Sequence, residues 1–155
     1  RNKTASLLAS ACAAGAWATS QNEIFTNRMR RFGELTGMAF QIKDDLFDYA
    51  SEEIGKPTGN DLKESKLTLP LIYTLNNTDR STRRKIIYIV KNEKEDKKKL
   101  AWVIEQVTKT GGIEYSIKKM NQFKEEALAE LKKFPESDIR KGLEDMVVFV
   151  TDRKY

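Results

Sequence analysis

The stretch Asn22-Glu23-Ile24-Phe25-Thr26-Asn27-Arg28-Met29-Arg30-Arg31-Phe32-Gly33-Glu34-Leu35-Thr36-Gly37-Met38-Ala39-Phe40-Gln41-Ile42-Lys43-Asp44-Asp45-Leu46-Phe47-Asp48-Tyr49 decides how the whole chain reads. Phe25, Met29, Phe32, Met38, Ile42, Leu46 and Tyr49 recur along it at helical spacing. That pattern predicts one long helix from about Asn22 to Tyr49 with an apolar side. After it come Gly55, Pro57 and Gly59, in the longest irregular stretch of the chain.

The rest of the sequence repeats the helical pattern. Leu100, Val103, Ile104 and Val107 form one stripe, ended by Gly111-Gly112. Ile113, Ile117, Met120, Ala127, Leu131 and Phe134 form the next, stopped at Pro135. Ile139, Leu143, Met146, Val147 and Val150 form the last, and Ile86, Ile87 and Val90 mark an earlier helix. Pro70 stands where a short apolar helix begins, a position at which the missing amide costs nothing. No strand alternation, internal repeat or dividing linker interrupts this order. The expected fold is all-α, with six to eight helices in one domain or a piece of one.

At 155 residues the chain is long enough to bury a core, and 39% hydrophobic with 33% charged residues is ordinary for a soluble protein. No run of about 18 apolar residues exists, so no transmembrane segment is expected. The alanine-rich stretch Ala5 to Ala18 is broken by Ser6, Ser10 and Gly15, and reads as a helix packed tightly inside protein. The single Cys12 excludes an internal disulfide and suits a cytoplasmic protein. With no histidine, serine–histidine triads, histidine-ligated zinc and imidazole acid–base chemistry are excluded. The net charge of +5 reads as dispersed, with Lys97-Lys98-Lys99 following Glu93, Glu95 and Asp96. No nucleic-acid partner is expected.

Chemistry concentrates at the end of the long helix. At 100° per residue, Gln41, Asp44, Asp45 and Asp48 lie within about 60° of one direction. Their carboxylates repel one another, and they crowd a helix end whose dipole disfavours anions. A hard divalent cation relieves that repulsion. Magnesium takes only one or two carboxylates, completing its shell with water and phosphate oxygens, so the arrangement points to a phosphate-bearing substrate. An acidic, solvent-facing helix end is the alternative. Lys56 and Lys66, on the following loop, add cations suited to a polyanion.

These residues carry a family resemblance. Phe40-Gln41-Ile42-Lys43-Asp44-Asp45-Leu46-Phe47-Asp48-Tyr49 resembles the second aspartate-rich motif of trans-isoprenyl (polyprenyl) diphosphate synthases. The run from Gly55 to Pro70 matches the G-K-x-x-G-x-D-L-x-x-x-K-x-T-x-P pattern that follows it there, and Lys3-Thr4-Ala5 resembles the family's lysine–threonine motif. The resemblance implies a helical bundle around a central cavity, a homodimer, and prenyl transfer. Magnesium and lysines stabilise the departing diphosphate of an allylic substrate, isopentenyl diphosphate attacks the resulting cation, and a proton is lost. By motif position Asp44, Asp45 and Asp48 hold Mg2+. Lys3, Lys56 and Lys66 contact the allylic diphosphate, while Thr4 and Gln41 steady the reacting carbons or the diphosphate. Ser65 stands where the family often has glycine, a difference read as minor because serine is small.

The first aspartate-rich motif, which precedes the lysine–threonine motif in the family, is absent, and the sequence opens at Arg1 inside a helical pattern. Residues 1–155 are therefore expected to be the carboxy-terminal portion of one synthase domain, holding half an active site. Three other readings stand beside this one: a non-catalytic subunit of a heteromeric prenyl synthase, a helical interaction module, and a terpene cyclase.

Overall fold

The computed structural model describes residues 3–49 and 60–153. Within them the chain is all-α, as expected. Eight helices follow one another: α1 (Thr4–Ser20), α2 (Glu23–Phe47), α3 (Asn60–Lys63), α4 (Leu69–Asn77), α5 (Arg80–Asn92), α6 (Lys97–Lys109), α7 (Gly112–Leu131) and α8 (Asp138–Asp152). Local chemistry sets most of the ends. Asn22 Oδ1 accepts the amides of Ile24 and Phe25 to open α2, Asp79 and Asp96 cap α5 and α6, and Ser137 caps α8. Pro70 sits in the first turn of α4. The long helix predicted from about Asn22 to Tyr49 ends two residues early. Asp48 and Tyr49 bond back three residues, to Asp45 and Leu46, and tighten its end into a turn.

The residues pack as two units, Asp44–Lys118 forming one and the flanking residues the other. In the flanking unit, α1 and α2 touch backbone to backbone. A Cβ on Gly33 would lie 2.5 Å from the carbonyl oxygen of Leu8, and one on Gly37 would lie 2.6 Å from Cα of Ala5. Ala5, Ala9 and Ala13 form the matching stripe on α1. Phe32, Leu35, Ala127, Leu131 and Val147 make this unit's core, flanked by Cys12, whose thiol burial pushes above its ordinary pKa. In the other unit the core is Tyr49, Leu62, Leu71, Ile86, Ile89, Val90, Leu100, Val103 and Val107.

Several apolar residues read as core are not covered. On α1 only the alanine stripe is buried, and Leu7 and Trp17 are exposed, so this helix is not enclosed as its composition predicted. On α8 Ile139 and Met146 are exposed, as are Ile117 on α7, Ile87 on α5 and Phe25 on α2. Periodicity reports which face is apolar; it does not report whether a neighbour reaches that face.

Candidate active site

Within the flanking unit, the close approach of α1 and α2 brings Thr4 of one motif beside Gln41 of the other. Thr4, half-buried at the first position of α1, donates its hydroxyl to Oε1 of Gln41 at 3.0 Å, across 37 residues of sequence. Lys3, immediately before it, is exposed. One residue before Gln41, the ring of Phe40 lies under the guanidinium of Arg153, 4.4 Å from centroid to carbon. Asp152 beside it takes both carboxylate oxygens to Lys124, at 2.8 and 3.0 Å.

The three aspartates differ in surroundings. Asp44 is exposed and Asp45 half-buried on the last turns of α2. Asp48 is bonded to backbone: its Oδ1 accepts the amide of Asn60 at 2.7 Å and its Oδ2 that of Asp61 at 3.0 Å. It therefore caps α3 from outside that helix. Burial, and secondarily the charge of Asp61, hold the Asp48 carboxyl above its usual pKa against the pull of those amides. Among the described residues no three acidic side chains converge as a ready-made cation cage. A donor set of one or two hard oxygens, Asp44 and Asp45, still suits an ion that completes its shell from water and phosphate.

Lys66 pairs with Asp61 Oδ1 at 2.9 Å and Glu64 Oε2 at 2.7 Å, which raises its pKa. Such exposed pairs are weak, so the ammonium group turns to another anion at little cost. Lys56, with Gly55, Pro57 and Gly59, lies outside the described residues. Sequence alone does not single out Asp61, yet it ties Asp48 through its amide and Lys66 through its carboxylate. The signal is present in the D-L pair of the loop motif, since Leu62 is fully buried and fixes Asp61 beside Asp48. Behind them the buried Tyr49 hydroxyl lies 2.6 Å from Thr68 Oγ1.

Ser65 corrects the reading made from size. It has φ +56°, in the left-handed region, where it ends α3: its amide reaches Leu62 O and the Lys66 amide reaches Asp61 O. Glycine suits this position for its backbone freedom, not its volume. Serine gains a hydrogen bond from its Oγ to Val90 O at 3.0 Å.

Comparison with known proteins agrees with this architecture. The polyprenyl synthetase family matches residues 1–107, and the chain belongs to that family. It is 33% identical over 157 residues to heptaprenyl diphosphate synthase component 2 of Bacillus subtilis, covering 100% of this chain and 44% of that protein. The crystal structure of geranylgeranyl pyrophosphate synthase from Bacteroides thetaiotaomicron superposes with a TM-score of 0.87 at 38% identity, over 99% of this chain and 51% of that one. That from Corynebacterium glutamicum, complexed with calcium and isoprenyl diphosphate, gives 0.83 at 30% identity, over 97% and 47%. The chain spans about half the length, or less, of the curated relatives it matches. No helix among the described residues is long and apolar enough to cross a membrane.

Proposed function

We propose that residues 1–155 are the carboxy-terminal portion of a cytoplasmic trans-prenyltransferase, which condenses an allylic diphosphate with isopentenyl diphosphate and acts as a homodimer. The observation that carries this reading is the hydrogen bond from Thr4 to Gln41, because it joins two separately read motifs one helical turn before Asp44. Asp44 and Asp45 would hold magnesium, with Asp48 completing the acidic face while it anchors α3. When bound, magnesium neutralises charge on the diphosphate leaving group. Lys3, Lys56 and Lys66 supply positive charge to the same diphosphate, favouring the state in which its C–O bond is breaking. Gln41, its side chain held by Thr4, presents a fixed dipole on the same side of α2 as Asp44.

The test is the full-length protein given an allylic diphosphate and labelled isopentenyl diphosphate with magnesium. Elongated, chelator-sensitive product is expected there and none from the 155-residue chain alone. Elongation by the isolated chain would overturn the half-site reading.

A second reading, a subunit of a heteromeric synthase, draws on the relative named component 2. Retention of Asp44, Asp45 and Gln41 favours a catalytic rather than an inert partner in such an assembly. Full-length protein active without any added subunit supports the homodimer; activity restored only by a second protein supports the heteromer.

A further inference from the structure

The positive charge of this chain is concentrated, not dispersed. Ten of the 28 lysines and arginines, but only five of the 23 acidic residues, lie between Asp79 and Lys109, so the whole formal excess of +5 belongs to α5, α6 and their connection. The acidic residues there are mostly engaged. Asp79 and Asp96 cap helices, Glu93 pairs with Lys99, and Glu105 pairs with Lys109. Among the described residues, Arg80, Arg83, Arg84 and Lys91 have no acidic partner at ion-pair distance.

These cations share a face with apolar side chains. At 100° per residue, Arg80, Arg84, Ile87 and Lys91 fall within about 60° of one direction on α5, with Tyr88 beside them. Buried Ile89 lies opposite that direction, while buried Ile86 and Val90 lie to its side and line the same hollow as Ile87 and Lys91. Ile87 and Tyr88 are exposed by 36% and 56%, and Leu67, in the same packing unit, by 66%. Leu67, Leu71, Leu75, Ile87 and Lys91 help line a hollow of about 130 Å³. Exposed apolar groups around a hollow, rimmed by unpaired cations, differ from an ordinary solvated helix face.

We propose that this face docks on an anionic lipid bilayer, with Leu67, Ile87 and Tyr88 entering the interface and the arginines and lysines meeting lipid phosphates. Charge complementarity calls for an anionic partner, and the apolar centre selects a bilayer over a nucleic acid, whose backbone offers nothing for leucine and isoleucine to enter. This docking does not depend on the proposed prenyl chemistry.

The experiment is co-sedimentation of the full-length protein with vesicles of phosphatidylcholine alone and of phosphatidylcholine with added phosphatidylglycerol. It is run at about 0.1 M and about 1 M salt, between which the screening length falls from about 10 Å to about 3 Å. Binding to the anionic vesicles only, lost at high salt, is expected. Arg84→Glu with Lys91→Glu should weaken it at least about tenfold. Leu67→Ser with Ile87→Ser, checked for unchanged helicity, should weaken it at least about fivefold. Lys132→Glu with Lys141→Glu makes the same change in net charge on α7–α8 and should leave binding intact. Equal binding to both vesicles, an equal loss in the Lys132/Lys141 variant, no effect of the serine variant, or tighter binding to a single-stranded oligonucleotide than to the vesicles would each overturn the proposal.

Discussion

Asp48 Oδ2 accepts the backbone amide of Asp61 at 3.0 Å, so one member of the acidic triplet also closes the connection between α2 and α3. Asp44, one turn earlier, is exposed and lies within α2 itself. The two should separate in stability measurements. Asp48→Ala leaves the amides of Asn60 and Asp61 without their acceptor and should cost about 1–2 kcal/mol. Asp48→Asn keeps one acceptor oxygen and should cost less. Asp44→Ala removes an exposed carboxylate, whose interactions are worth little, and should cost less than Asp48→Ala. Urea unfolding of the three variants checks the order, and equal losses at Asp44 and Asp48 would contradict the capping role.

Turnover should rank the same residues differently. In the full-length protein Asp44→Asn preserves shape and removes the charge proposed to hold magnesium. The loss should fall on kcat, by about 10²–10³-fold, as for removal of a preorganised electrostatic group. Steady-state kinetics at saturating magnesium is the measurement. Wild-type turnover in a folded Asp44→Asn enzyme would reduce the acidic face to a surface patch.

The α1–α2 contact gives a prediction with opposite signs at glycines. Gly33→Ala forces a methyl group to 2.5 Å from the Leu8 carbonyl oxygen, which backbone movement alone relieves, and should destabilise by about 2–3 kcal/mol. Gly15→Ala, also within a helix, meets nothing within 4 Å and should stabilise by about 0.5–1 kcal/mol. Thermal unfolding of both variants decides it. Loss of the Thr4–Gln41 hydrogen bond should accompany the first and not the second.

At Ser65 the left-handed backbone and the hydrogen bond to Val90 oppose each other. Ser65→Gly relieves a strain of about 1 kcal/mol and gives up a hydrogen bond of about the same worth, so stability should change by less than about 0.5 kcal/mol. Ser65→Ala keeps the strain and loses the bond, and should cost about 1 kcal/mol. Alanine as stable as glycine at this position would contradict the account.

Acid pH should weaken the clasp between α7 and α8. The hydrogen bond from Lys124 holds the Asp152 carboxyl below its usual pKa. A depressed folded-state pKa gives stability that is fully present above the unfolded value, about 3.9, and is lost as pH falls through the folded value. Asp152 is exposed while Lys124 is largely covered, so Asp152→Asn should cost about 0.5–1 kcal/mol at neutral pH. The gap between variant and wild type should close as pH falls below about 4 and vanish below the folded pKa. A gap that widens on acidification would reverse the sign and exclude the mechanism.

The long apolar stripes and the placing of Gln41, Asp44, Asp45 and Asp48 on one side of α2 were legible in the sequence, whereas the caps at Asp79 and Asp96 and the short α3 were found only in the structure. The legible features depend on neighbours within about one turn, where the 3.6-residue period acts. Tertiary structure alone decided which partners distant groups find. Thr4 reaches Gln41 because Gly33 and Gly37 let two backbones touch. Asp48 is drawn into capping because buried Leu62 sets α3 beside it, and Ser65 is left-handed because α3 must stop there. The exposure of Ile139, Leu7 and Ile87 was likewise invisible to periodicity, since an apolar stripe becomes core only when another element packs on it.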